Sequence, residues 1–141
     1  MSQSEIIEIL TKCKTIAVVG LSRAPEKPSY IVSDYMKRHG FHIIPVNPYA
    51  DEILGEKSYK SLTDIPPTIQ KTIEVVDVFR PPKDVPEIVD QVIKLKVTNG
   101  KPNVVWMQLG VVNQQAADAA KKAGLAVVMD KCIMREHERL L

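Results

Sequence analysis

The stretch Lys14–Val32, KTIAVVGLSRAPEKPSYIV, decides the fold. It opens with an apolar, β-branched run that ends on Gly20, and Pro28 follows as the first residue of a helical pattern. Strand, glycine turn and helix in that order are the start of a nucleotide-type βαβ unit, in which the turn and the helix N-terminus face an anion. The dinucleotide fingerprint G-x-G-x-x-G is nevertheless incomplete: Ser22 stands at its second glycine and Pro25 at its third. Asn47-Pro48 occupies the place near the end of the second strand where an acidic residue would bond a ribose diol. The G-x-x-x-x-G-K-[ST] pattern of a P-loop is also absent.

Outward from this unit the chain alternates strand and helix patterns. Ser2 and Glu5 have capping-box spacing, which starts an N-terminal helix over residues 3–13. "FHIIPV", "TIEVVDVF", "VVWMQL" and "LAVVM" predict four further strands. A long loop to about Ser61 follows the second of the five. Between the strands lie a helix closed by Gly40, a helix started by Asp84 and Glu87, and an alanine-rich helix capped by Asn113. The tail predicts a last short helix over residues 133–140. Near-continuous apolar strands separated by helices imply a parallel sheet covered on both faces. The expectation is therefore an α/β, Rossmann-like, doubly wound, five-stranded parallel sheet, one domain over residues 1–141 with its core at 15–130.

Composition narrows the function. A formal net charge of +2, with no basic run interleaved with aromatics, predicts no nucleic-acid partner. No apolar stretch is long enough to span a bilayer, and the N-terminus lacks the basic-then-apolar order of a signal peptide. Cys13 and Cys132 lie far apart without C-x-x-C spacing, so a reduced, cytoplasmic protein is expected. A homodimer is the expectation for a small soluble protein on general grounds.

Ligands of open parallel sheets sit beyond the carboxyl ends of the strands. That rule selects Gly20, Leu21, Ser22, Arg23 and Lys27 after the first strand, and Asn47 and Pro48 after the second. It selects Phe79 and Arg80 after the third, Gln108 after the fourth and Cys132 after the fifth. Gly20 permits a sharp turn, Arg23, Lys27 and Arg80 bring charge, and Gln108 brings an amide. Ser22 resembles the serine of a nucleophile elbow, but Pro25 and Pro28 lengthen its loop and Asp130 and His137 are nearly adjacent, so no catalytic residue is predicted. His39, His42 and His137 do not have metal-ligand spacing, and no metal site is predicted.

Read together, "IAVVGLS", "KPSY", "IIPVNP", "EILGEKSYKSLTDIP", "VDVFRPP", "VPEIVDQVI", "VWMQLGVVN" and "VVMDKCIMREH" resemble the small stand-alone CoA-binding proteins. Those are similar to the N-terminal CoA-binding domain of succinyl-CoA synthetase alpha subunits. The match runs from about Thr15 to the C-terminal end. The resemblance implies coenzyme A as ligand, contacted at Gly20, Leu21, Ser22, Arg23, Asn47, Pro48, Phe79, Arg80 and Gln108. It implies a CoA or acyl-CoA binding protein without catalytic machinery of its own. The alternatives are a CoA-binding subunit of an acyl-CoA ligase or transferase completed by a partner chain, and an NAD-dependent redox protein. A pantetheine arm that crosses to the fifth strand would bring its thiol to Cys132, where a mixed disulfide is expected under oxidation.

Overall fold

A computed structural model describes all residues, Met1–Leu141. The expected central sheet is present. Its strands are β1 (Thr15–Val19), β2 (His42–Val46), β5 (Val75–Val78), β6 (Val104–Met107) and β7 (Ala126–Val128), all parallel, in the order β2-β1-β5-β6-β7. The helices are α1 (Gln3–Lys12), α2 (Pro28–Arg38), α3 (Pro67–Gln70), α4 (Val85–Asn99), α5 (Gln114–Lys122) and α6 (Ile133–Leu140).

Strand periodicity sends alternate side chains to opposite faces. Ile16, Val18, Val75, Val104, Trp106 and Val128 pack with Ile6 and Leu10 of α1, Val32 and Met36 of α2, and Ile133 of α6. Ala17, Val19, Val76, Val78, Val105, Met107 and Val127 pack with α4 and α5 on the other face. Trp106 is fully buried in the first layer, and its indole N–H donates to the Lys131 carbonyl at 2.7 Å. One polar side chain interrupts that layer. Asp77 lies between Val18 and Trp106 in register and is 1% exposed.

Two features differ from the sequence reading. The expected loop after β2 contains a small antiparallel hairpin, β3 (Glu52–Ile53) and β4 (Glu56–Lys57). Its turn residues Leu54 and Gly55 both have positive φ, 56° and 74°. Leucine is a poor advertisement for such a turn, so local sequence does not reveal it. Lys37 of α2 holds the hairpin by donating to the Leu54 carbonyl and pairing with Glu56 at 3.0 Å. The second difference is at α4. Asp84 stands at its N-cap but makes no side-chain cap bond, and its carboxylate accepts from Arg80 instead, at 2.8 Å.

The strand order reverses direction between β1 and β5: the chain leaves β1 toward β2 and later returns to the other side. The loops after these two strands diverge and leave a crevice at the carboxyl edge.

Candidate functional site at the carboxyl edge of the sheet

Gly20 and Phe79 close the base of the crevice. The Phe79 N–H donates to the Val19 carbonyl at 2.9 Å. A Cβ on Gly20 would lie 2.5 Å from the Phe79 carbonyl oxygen, and the glycine has φ +89°. The close approach that requires glycine is thus made by the backbone just past β5, an origin invisible in the sequence.

The turn after β1 is held by its own hydroxyls. Ser22 donates its N–H to Ser29 Oγ at 2.9 Å, and Ser22 Oγ accepts from the Ala24 N–H at 3.0 Å, which leaves the Ser22 hydroxyl proton uncommitted. Leu21 is fully buried in the core beneath, so only its backbone faces this turn's function. Asn47 links the first two loops: its amide donates to the Leu21 carbonyl at 2.9 Å and accepts from the Tyr49 N–H at 2.7 Å. Arg23 donates to the Tyr49 carbonyl at 3.3 Å. Behind the turn, α2 begins with Pro28 and has neither a side-chain cap nor an acidic residue in its first turn. Its N-terminus is open to an anion.

Two cavities adjoin this edge. The first, about 510 Å³, has a polar lining that includes Gly20, Ser22, Asn47, Pro48, Lys60 and Arg80. The second, about 610 Å³, is mainly apolar, with Ile31, Val32, Phe79, Val111 and Met134 among its walls, Gln108 at its inner side and Cys132 at the start of α6. Arg80 lines both. It is half-exposed and paired with Asp84. Arg23 and Lys27, by contrast, are exposed and line neither cavity. Lys60, which lies within EILGEKSYKSLTDIP but is not among the expected site residues, does line the polar one.

Gln108 is 3% exposed and sits two residues beyond Trp106, on the same face of the sheet as Asp77. Its Nε2 donates to Asp77 Oδ1 at 2.7 Å. Burial pushes the Asp77 carboxyl up to about 7, against the pull of this hydrogen bond. The strand pattern "VVDVF" contained the signal for Asp77, an acid among core residues, but it precedes the loops on which a carboxyl-edge search concentrates. At the far end of the edge, Asp130 (φ +62°) accepts from the Gly110 N–H at 2.7 Å and joins the loops after β6 and β7. His137 shares a hydrogen bond with Tyr35 at 2.8 Å. Ser22, Asp130 and His137 therefore have separate partners and do not form a relay. Both cysteines are free and half-buried.

Residues 14–138 match the profile of a family described as a CoA binding domain. The chain is 40% identical over 136 residues to the uncharacterized protein YneT of Bacillus subtilis (strain 168), covering 96% of this chain and 94% of that one. It is 29% identical over 131 residues to the ADP-forming acetate–CoA ligase of Methanocaldococcus jannaschii, of whose length it spans 18%. A solved hypothetical protein from Pyrococcus horikoshii OT3 superposes with a TM-score of 0.89 at 45% identity, covering 99% of this chain and 92% of that chain.

Proposed function

Since the chain belongs to the CoA-binding domain family, related to the CoA-binding region of ADP-forming acetate–CoA ligases, we propose that it binds CoA or an acyl-CoA along the carboxyl edge of its sheet. The observation that carries this reading is the pair of contrasting cavities that share Arg80. CoA has a matching division, a charged adenine nucleotide and a long, uncharged pantetheine arm with methyl and methylene groups between its amides. The nucleotide fits the polar cavity at Gly20, Ser22, Asn47 and Pro48, where Lys60 offers a cation for the 3′-phosphate. Arg80 and the N-terminus of α2 suit the pyrophosphate. The arm then occupies the apolar cavity past Phe79 and Gln108 toward Cys132. Arg23 and Lys27 flank this path as exposed charges that attract an anionic ligand.

No nucleophile–base pair is assembled at this edge, so the role proposed is binding rather than turnover. A second reading, a CoA-binding subunit completed by a separate chain, draws on the likeness to one segment of a longer ligase. A dimer and a cytoplasmic setting are part of the proposal, and no helix of the chain is long and apolar enough to cross a membrane.

Native mass spectrometry of freshly purified protein, followed by titration with CoA, dephospho-CoA and NAD, tests the reading. The expected result is a CoA-sized adduct and preference for CoA over dephospho-CoA. Preference for NAD, or binding of none of the three, overturns it. Co-purification of a second chain that confers acyl-CoA turnover selects the subunit reading.

A further inference from the structure

The centre of a parallel strand between two valines is an expensive place for a carboxyl group. Val18 and Trp106 flank Asp77 across the sheet, and neither offers it a side-chain hydrogen bond. Its side-chain partner is the Gln108 amide. Gln108 is itself buried and lines the apolar cavity, while Asp77 lies behind it and does not. Gln108 Nε2 is committed to Asp77, and no protein donor bonds Gln108 Oε1. That oxygen is not sealed from solvent, unlike the one fully enclosed unpartnered side-chain atom, Ser33 Oγ.

An ionised carboxylate only accepts hydrogen bonds. In its ionised form, which prevails above about pH 7, Asp77 therefore admits a single orientation of the neighbouring amide, NH₂ toward Asp77 and oxygen away from it. A neutral residue at position 77 would let the amide turn either way. We propose that Asp77 is a positioning residue: it fixes the Gln108 amide so that its oxygen is presented to the apolar cavity as the acceptor for an N–H of the ligand's arm. The inference rests on the CoA reading, because pantetheine carries two amide N–H groups, besides one hydroxyl, along an uncharged chain. It adds a specificity element to that reading. The cavity then distinguishes an amide-bearing arm from a purely hydrocarbon one, which would cover the Gln108 oxygen and leave it unpaired.

Calorimetric titration at about pH 8, with the carboxylate ionised, tests the pair. The ligands are CoA and adenosine 3′,5′-bisphosphate, which lacks the arm. The proteins are the native chain, Asp77→Asn, Asp77→Val, Gln108→Leu and the Asp77→Asn/Gln108→Leu double variant. Either Asp77 variant is expected to weaken CoA by about tenfold, one well-placed hydrogen bond, and to leave the bisphosphate unchanged. In the Gln108→Leu background, Asp77→Asn should add no further loss. Unchanged CoA affinity in both Asp77 variants overturns the proposal, as does an equal loss for both ligands, which is the mark of a merely structural role. A native protein that binds neither ligand overturns the CoA reading itself; one that binds CoA indifferently to position 77 overturns only the pairing.

Discussion

A methyl group at position 20 would meet the Phe79 carbonyl oxygen at 2.5 Å while holding φ near +89°. Both the clash and the left-handed backbone oppose it, so Gly20→Ala should destabilise by more than about 2 kcal/mol. Urea unfolding measures this, and a midpoint equal to the native one would show that the β1 turn relaxes freely. Asp77 makes a second prediction at this scale. Its folded pKa, about 7, lies above the ordinary value of 3.8. Between those values the folded state holds a proton that the unfolded state has released. The penalty for the buried charge is therefore complete above about pH 7 and disappears as the pH falls toward the unfolded value. Relative to Asp77→Asn, the native protein should gain on the order of 4 kcal/mol from about pH 8 down to about pH 4. A stability difference that stays flat across that range would contradict the burial of this group.

At the scale of elements, α6 walls the apolar cavity from the C-terminal side. Cys132 precedes it, Met134 and Arg135 line the apolar cavity, and Ile133 anchors it in the core. Its far end meets α2 through His137, which bonds Tyr35 and stands edge-on to His39 with ring centroids 5.2 Å apart. Burial, and then the neighbouring His39 charge, hold the His137 imidazole below its ordinary value of 6.5. The unfolded chain accordingly takes up this proton first as the pH falls. The contribution of His137 is whole above about pH 6.5, declines below it, and levels off beneath the depressed folded value. Native protein should thus lose stability between about pH 7 and about pH 5 by more than His137→Gln does. Parallel thermal melts of the two proteins decide it, and identical pH profiles would remove the imidazole from the account.

For the whole molecule, the switch between β1 and β5 places polar and apolar cavities on either side of one arginine. Arg80 is half-exposed and already paired with Asp84, so a ligand phosphate gains only the difference between two partners. Arg80→Ala should weaken CoA by about tenfold. The loss should be similar for dephospho-CoA, because the position between the cavities suits the pyrophosphate both share. A loss confined to CoA would move Arg80 to the 3′-phosphate, and unchanged affinity for both would make it a loop-stabilising residue only.

The family was legible in the motifs taken together in their order, and the sequence by itself also determined the five-stranded sheet and its helices. The sheet and helices follow from local periodicity, capping residues and turn chemistry, each written within a few neighbouring positions. Capping by Ser2 and Asn113, for instance, occurs in the structure as the spacing predicts. Tertiary structure alone decided what each loop residue does. Gly20 answers to a carbonyl 59 positions away, Asn47 ties two loops together, Asp84 turns from its helix to Arg80, and Asp77 meets Gln108 across 31 positions. The same holds for the Leu54–Gly55 turn, where packing against Lys37 imposes a conformation that leucine does not favour. Hydrogen bonds between distant loops depend on where the sheet delivers them, and no local pattern carries that information.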